Sequence, residues 1–225
     1  MSDLEGTLTE GYSYWMKLNL ELGISKEEDL DLYREFMQDF DYEKWMSRIF
    51  SIWKERNESN PEKLNKDFFI KFSKRYLKIK EGAKKFIEHL KSHFIFYVIS
   101  GAPWEFCALA QEKLGFDDYF STNKLIFDKN NQLKCIEAHQ YGFHKEKILF
   151  KIAKSYGFEM KQIIAMGDSE NDFTMLNAVG MGILLGKNII FSSYKKILNP
   201  NIIRMKNLDF QEISKTIEQY HYSLI

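Results

Sequence analysis

The chain is poor in cysteine and proline, with two cysteines and three prolines in 225 residues. Cys107 and Cys135 show no metal-ligand spacing, so we expect neither a zinc site nor a disulfide framework, and a reducing compartment is the default. The sequence also lacks a signal peptide, a run of 18 apolar residues, low-complexity segments and internal repeats. These absences predict a soluble, cytoplasmic protein that does not cross a membrane.

An excess of either charge is missing as well, because 32 basic residues are balanced by 32 acidic ones. A net charge of zero gives no general attraction to nucleic acid or to an anionic membrane, and we expect neither as a partner. The basic stretch 71–85 has apolar residues at helical spacing, which indicates solvated helix faces. The length allows one large domain, or a domain that carries an insertion.

Two patterns follow one another along the chain. Residues 12–78 contain only helix signals, such as the capping box Ser25-Lys-Glu-Glu28 and the proline start at Asn60-Pro61. From residue 82 onward helices and strands alternate, and the almost entirely apolar segment 93–100 predicts a strand buried on both faces. Such alternation predicts a parallel sheet with helices on both faces, and ligands bind such sheets beyond the carboxyl ends of the strands. Further strands are expected within 118–136 as a hairpin and at 162–166, 182–185 and 201–205, with helices at 83–91, 104–114, 145–156, 172–179 and 210–220.

Two acidic turns lie at opposite ends of this pattern. Gly-Asp-Ser-Glu-Asn-Asp, residues 167–172, follows an apolar strand, and Asp-Leu-Glu-Gly-Thr-Leu-Thr, residues 3–9, opens the chain. Taken alone, the turn at residues 3–9 is better explained as a common turn with solvated acids. Together the two turns predict one Mg²⁺ site, since Mg²⁺ prefers carboxylate, carbonyl and water oxygens. Asp3 and Asp168 are the expected side-chain ligands, and Asp172 can hold a metal-bound water.

The remaining candidates fit the transfer of a phosphoryl group. A carboxylate such as Asp3 can attack phosphorus when a metal ion offsets its charge, and Glu5 can give the leaving oxygen a proton. Ser100, the N–H of Gly101 and Lys145 can bind the transferred group. Alone, Lys145 is a surface lysine near a helix start and Ser100-Gly101 a turn after a strand. In this joint order they predict Mg²⁺-dependent phosphoryl transfer through an aspartyl-phosphate.

These four segments resemble the four motifs of the haloacid dehalogenase superfamily of phosphohydrolases, in its phosphoserine-phosphatase-like branch. Residues 3–9 resemble the first motif, Ser100-Gly101 the second, Lys145 the third and residues 167–172 the fourth. The resemblance covers residues 1 to about 190. It implies a Rossmann-like α/β core with an inserted, all-helical cap.

The resemblance also assigns ranges and roles. The core would comprise residues 1–11 and 79–225, and the cap residues 12–78. The metal would be held by Asp3, by the backbone carbonyl of Glu5 and by Asp168, with Asp172 in support. Asn171 would lie near the substrate phosphate.

The chain departs from the family pattern at three places. Glu5 stands where aspartate is commoner, and a relative that also transfers phosphate to an alcohol carries a similar Asp-x-Glu. Tyr12 lies near the place of a substrate-reading glutamate, and Glu10 is two residues early, which argues against phosphoserine itself. Only two residues precede Asp3, so the first core strand is expected to be truncated, and we hypothesise that the natural protein begins several apolar residues upstream.

The sequence therefore predicts a Mg²⁺-dependent phosphomonoester hydrolase that acts on a small phosphorylated metabolite. Two alternatives stay open: a phosphotransferase that passes the group to an alcohol, and a non-catalytic protein that keeps the fold and binds a ligand. The first would be distinguished by its products with added alcohols, and the second by its lack of Mg²⁺-dependent turnover.

Overall fold

The structure is a computed structural model, and it describes residues 1–11, 13–139, 144–186 and 200–224. The helices are α1 (Tyr14–Glu21), α2 (Lys26–Asp39), α3 (Tyr42–Arg56), α4 (Lys66–Tyr76), α5 (Ala83–Leu90), α6 (Trp104–Leu114), α7 (Lys145–Tyr156), α8 (Phe173–Asn177) and α9 (Phe210–Ser223). The strands are β1 (Tyr97–Pro103), β2 (Asp118–Phe127), β3 (Leu133–Ala138), β4 (Ile164–Gly167), β5 (Met181–Leu185) and β6 (Ile202–Met205). None of the described helices is long and apolar enough to cross a membrane.

The first helices form because polar side chains cap their amino ends. Ser13, Ser25, Asp41 and Asn65 each accept a hydrogen bond from a backbone N–H in the first turn of α1, α2, α3 and α4 respectively. Such caps satisfy N–H groups that have no partner within the helix. The all-helical pattern expected for this part of the chain is confirmed in the described residues, including the capping box at Ser25.

The helix start expected at Asn60-Pro61 is only partly right. Pro61 opens a single turn of 3₁₀ helix that ends at Leu64, and α4 begins after it. The side chain of Asn65 accepts the N–H of Phe68 at 2.8 Å, so this asparagine rather than Asn60 caps the long helix.

The strands pair in the order β3-β2-β1 and β4-β5-β6, and the first residues of the chain join the two sets. Ser2 forms parallel bridges to Val98 of β1 and to Met166 of β4. The N–H of Asp3 donates to the carbonyl of Met166 at 2.9 Å, and the N–H of Ile99 donates to the carbonyl of Ser2 at 2.9 Å. In place of a full central strand, the residues before Asp3 form only this bridge between β1 and β4. The bridge places Asp3 at the carboxyl ends of those two strands.

Alternate residues of the central strands face two separate cores. Val98 and Met166 belong to the larger cluster, whereas Ile99 and Ala165 belong to the smaller one. Helices α5, α6 and α9 contribute to the larger cluster and α7 and α8 to the smaller one. The expected α/β architecture, with helices on both faces of a largely parallel sheet, is confirmed, and so is the hairpin of β2 and β3.

The strand expected at 93–100 lies further along the chain. It begins at Tyr97, because the preceding residues continue the turn of α5: the N–H groups of His93 and Phe94 both donate to the carbonyl of Leu90. It ends only at Pro103, after a register irregularity that begins at Ser100. The apolar run alone did not show where the turn after α5 ends and where the strand begins.

A buried amide holds three of the first helices together. Asn19 of α1 is 1% exposed, and its Oδ1 accepts the indole N–H of Trp53 in α3 at 2.9 Å. Its Nδ2 donates to a carboxylate oxygen of Asp29 in α2 at 2.6 Å. The indole N–H of Trp53, which is fully buried, would lose its acceptor if the amide were removed.

Replacement of Asn19 by leucine should lower the free energy of unfolding by about 1–3 kcal/mol, because the buried indole N–H loses its acceptor. Chemical denaturation of the wild-type and variant proteins measures the change. The matched control is Lys17→Leu, on the exposed face of the same helix, which should change stability by less than about 0.5 kcal/mol. Equal effects of the two substitutions would contradict the role given to Asn19.

Candidate active site

Three carboxylates from the two acidic turns meet at the carboxyl ends of the central strands. One oxygen each from Asp3, Asp168 and Asp172 lies within 4.8 Å of the others. Asp3 follows the bridge at Ser2 and Asp168 follows β4, so the sheet itself brings the two acidic turns together. Asp172 is fully buried and Asp3 nearly so.

One buried lysine lies against this cluster. The Nζ of Lys145, the first residue of α7, is 2.5 Å from Asp3 Oδ1 and 2.6 Å from Asp172 Oδ1. Burial favours the neutral amine, but the charges of Asp172 and Asp3 outweigh it and raise the pKa of Lys145 above its ordinary value. Lys145 therefore remains protonated, and its charge lies where an anionic group beside Asp3 would be attracted.

The second acidic turn is folded around the carboxylate of Asp172. Its Oδ2 accepts the N–H of Asp168 at 3.1 Å, the N–H of Ser169 at 3.0 Å and the hydroxyl of Ser169 at 2.8 Å. Gly167 makes room for it, since a Cβ at that position would be 2.4 Å from Asp172 Cγ. These contacts fix the backbone from which Asp168 extends.

The first acidic turn packs against Asp168 from the other side. The hydroxyl of Thr7 donates to Asp168 Oδ1 at 3.0 Å. Gly6 has a φ of +78°, and a Cβ there would lie 2.1 Å from Asp168 Oδ2. Glycine is required here both by the backbone conformation and by the close approach of the carboxylate.

The cluster carries more negative charge than Lys145 can balance. Burial, followed by the charge of Asp172, raises the pKa of Asp3 well above its usual range. The same causes raise the pKa of Asp168 to about 6. Several carboxylate oxygens in one small space are the donor set that a hard divalent cation such as Mg²⁺ prefers, so the residues present fit that ion.

The side chain of Glu5 connects the first acidic turn to α1. Its Oε1 accepts the backbone N–H of Tyr14, the first residue of α1. Burial raises the pKa of Glu5 to about 7, against the hydrogen bond from Tyr14, which lowers it. A carboxyl group that titrates near neutral pH can both give and take a proton, as general acid–base catalysis requires.

The candidate phosphate-binding residues differ in their burial and in their hydrogen bonds. Ser100 is fully buried at the irregularity of β1, where its Oγ accepts the N–H of Ala102 at 3.1 Å. The carbonyl of Gly101 accepts the indole N–H of Trp15 at 2.7 Å and an amide N–H of Asn123 at 2.8 Å. Asn171 is exposed, in the turn that leads to Asp172.

The structure therefore joins Asp3, Asp168, Asp172 and Lys145 directly, with Glu5 within electrostatic reach of Lys145 and Asp168. Sequence reasoning missed three groups that contact this set, the hydroxyls of Thr7 and Ser169 and the N–H of Tyr14, and it missed the side chain of Lys80, which donates to the carbonyl of Gly6 beside the set. The two hydroxyls belong to the quoted turns, where their contacts could have been suspected. Tyr14 and Lys80 carried no sequence signal, because their contacts depend on the tertiary fold.

A cavity of about 610 Å³ lies at the opposite, amino end of the sheet, lined by Met1, Tyr97 and Ile164 among others. None of the candidate site residues lines it, so it has no part in the chemistry of the carboxylate cluster.

The arrangement of the two acidic turns agrees with a comparison against known families, in which residues 1–180 match the haloacid dehalogenase-like hydrolases. The chain belongs to this family. This match confirms the family that the resemblance of the four motifs predicted.

Similar proteins include phosphatases with two different substrates in their names. The chain is 30% identical over 140 residues to phosphoserine phosphatase of Methanocaldococcus jannaschii, which covers 61% of this chain and 63% of that protein. It is 33% identical over 82 residues to 5-amino-6-(5-phospho-D-ribitylamino)uracil phosphatase of Bacillus subtilis, which covers 36% of this chain and 33% of the relative. The chain thus covers less than two thirds of the length of the first relative and about a third of the length of the second.

Solved structures of phosphoserine phosphatase have the same fold over nearly the whole chain. A phospho-aspartyl intermediate analogue of that enzyme superposes with a TM-score of 0.71 and 26% identity, covering 96% of both chains. A substrate-bound complex gives a TM-score of 0.69 and 25% identity, with the same coverage.

The raised pKa values of the hydrolase site predict that the metal-free protein loses stability as pH rises. Glu5 and Asp168 have pKa values of about 7 and about 6, above their ordinary values of 4.5 and 3.8. The folded state therefore holds protons that the unfolded chain has released, and the free energy of unfolding falls as pH rises through this window. In a chelator, we expect a loss of about 1–3 kcal/mol between about pH 5.5 and about pH 7.5 that depends on these two groups.

Denaturation at the two pH values, with the wild type and a Glu5→Gln Asp168→Asn variant, measures this loss. The variant should have a flatter pH dependence, whereas the control Glu170→Gln, an exposed acid of the same turn, should follow the wild type. An unchanged slope in the double variant would show that the two carboxyls titrate normally in the folded protein.

Proposed function

We propose that this hydrolase is a Mg²⁺-dependent phosphomonoesterase that acts on a small phosphorylated metabolite through an aspartyl-phosphate at Asp3. The observation that carries the proposal is the surroundings of the Asp3 carboxylate, which lies 2.5 Å from the ammonium of Lys145 and within 4.8 Å of two further aspartates. A phospho-aspartyl analogue among the structural neighbours supports the same chemistry.

The metal would be held by the carboxylates of Asp3 and Asp168 and by the backbone carbonyl of Glu5, with Asp172 orienting its water ligands. When bound, a divalent cation offsets the negative charge that would otherwise keep a carboxylate and a phosphate apart. Thr7 holds the carboxylate of Asp168 from one side and the turn around Asp172 fixes its backbone from the other.

The chain's own residues then divide the reaction into two steps. In the first, a carboxylate oxygen of Asp3 bonds to phosphorus, the ester P–O bond breaks, and protonated Glu5 gives its proton to the leaving alkoxide. In the second, Glu5 takes a proton from a water molecule, which attacks phosphorus and releases inorganic phosphate from Asp3. Ser100, the N–H of Gly101, Lys145 and Asn171 would bind the phosphoryl oxygens in both steps.

The substrate is proposed to bind between the core, residues 1–11 and 79–225, and the helical cap, residues 12–78. Trp15 of α1 contacts Gly101 through its indole N–H, so the first cap helix lies directly beside the proposed phosphate-binding turn. Tyr12, the residue that argued against phosphoserine, lies outside the described residues. A screen of phosphorylated metabolites with the purified protein would identify the preferred substrate.

A phosphotransferase is the second candidate, because glutamate occupies the acid–base position where aspartate is commoner, as in the similar family member that also transfers phosphate to an alcohol. It would use the same aspartyl-phosphate but pass the group to an alcohol. Product analysis with added alcohols separates the two: phosphate release alone indicates a phosphatase, and a new phosphoester indicates a transferase.

Replacement of Asp3 by asparagine should abolish Mg²⁺-dependent hydrolysis of an aryl phosphate, because an amide is both a poor nucleophile and a poor Mg²⁺ ligand. Release of the aryl alcohol, followed by its absorbance, measures the rate. The exposed Glu170→Gln serves as the control and should retain its activity. More than a few per cent of wild-type activity in Asp3→Asn would exclude the covalent mechanism.

Replacement of Glu5 by glutamine should slow hydrolysis of an alkyl phosphate by about 10²–10⁴-fold, because the leaving alkoxide loses its proton donor. The first step with an aryl phosphate should suffer less, since its leaving group is a weaker base. Single-turnover measurements on both esters, with Glu10→Gln as an exposed control, compare the two losses. Equal losses on the two esters would count against Glu5 as the donor.

A further inference from the structure

A lysine on the segment that returns from the helical cap lies beside the first acidic turn. The N–H of Glu10 donates to the carbonyl of Lys78 at 2.8 Å, and the N–H of Lys80 donates to the carbonyl of Leu8 at 3.0 Å. These backbone bonds hold the segment against the end of the turn. They fix the position from which the side chain of Lys80 extends.

The ammonium of Lys80 contacts the same turn that holds Asp168. Its Nζ donates to the carbonyl of Gly6, and Gly6 is the residue on which the Asp168 carboxylate packs. The next residue, Thr7, bonds Asp168 through its hydroxyl. The adjacent residues Gly6 and Thr7 are thus contacted by a positive side chain, Lys80, and by a negative one, Asp168.

The charge of Lys80 remains available to the site. Its acceptor is a carbonyl, which has no net charge, so this hydrogen bond fixes the ammonium without neutralising it. Partial burial lowers the pKa of Lys80, and the charges of Asp168, Glu10 and Asp3 oppose that shift. Lys145, by comparison, is directly bonded to Asp3 and Asp172.

We propose that Lys80 is a second fixed positive charge of the site, which weakens the binding of a divalent cation to the carboxylates and strengthens the binding of a phosphoryl dianion. Lys80 is in this view a positioning residue that acts on the metal and phosphate through its field. The inference deepens the proposed function and rests on it, because it assumes that one site binds both ions.

The sign of the two effects separates this role from a structural one. A fixed positive charge repels Mg²⁺ or Mn²⁺ and attracts phosphate, so its removal should change the two affinities in opposite directions. If Lys80 served only to hold the Gly6 turn in place, its removal would disorder Asp168 and weaken the binding of both ions.

The test compares Lys80→Met and Lys80→Gln, which remove the charge, with Lys80→Arg, which keeps it. Lys78→Met is the matched control, since this exposed lysine lies in the same segment. Electron paramagnetic resonance of free Mn²⁺ gives the metal affinity without any turnover. Calorimetric titration with inorganic phosphate at saturating Mg²⁺ gives the anion affinity.

We expect the uncharged variants to bind Mn²⁺ about 3–10-fold more tightly and phosphate about 3–10-fold more weakly, the range for charges several ångströms apart that solvent largely screens. Lys80→Arg and Lys78→Met should stay near wild type. Weaker binding of both ions, no change in either, loss of the folded state in both uncharged variants, or a wild type that binds no Mn²⁺ would each overturn the inference. The proposed function can fail separately. If Mn²⁺ and phosphate binding change as expected but the protein has no phosphatase activity, the charge effect of Lys80 is supported and the proposed reaction is contradicted.

Discussion

The hydrogen bonds from Lys145 to Asp3 and Asp172 hold together the three parts of the chain on which the site depends. Asp3 comes from the first residues, Lys145 from the start of α7, and Asp172 from the turn after β4. Each carboxylate is buried and would be costly there without a positive partner. One lysine does not balance the whole cluster, however: burial first, and then the charge of Asp172, raises the pKa values of Asp3 and Asp168. A divalent cation is the partner that this excess favours.

The fold positions this charge cluster through backbone contacts and glycines. Ser2 pairs with both central strands, which determines where Asp3 lies. Gly6 and Gly167 leave the space that Asp168 and Asp172 occupy. The site is therefore a consequence of close backbone packing at the carboxyl ends of the strands. Few alternative side chains could be accommodated at these two glycines.

Much of this could be predicted from the sequence, because the acidic turns, the alternation of helices and strands and the four motifs are local patterns. The register at the third motif illustrates this: Lys145 is buried at the site while Lys147, two residues on, is exposed. The limits of β1 were misjudged, because a turn that continues α5 extends into the apolar run before Tyr97. The contacts of Glu5 with Tyr14 and of Lys80 with Gly6 could not be predicted, since they join segments whose approach is determined only by the packed cap and core.

We propose that the carboxylates of Asp3 and Asp168 hold one divalent cation beside a phosphoryl site. A crystal structure with Mg²⁺ and beryllofluoride, a mimic of the phosphoryl group, tests it most directly. We expect Mg²⁺ bound by Asp3, Asp168 and the carbonyl of Glu5 at ligand distances of about 2.0–2.1 Å, with beryllofluoride bonded to the carboxylate of Asp3 and its fluorides facing Lys145. An ion bound away from these residues, or beryllofluoride on any other side chain, would contradict it.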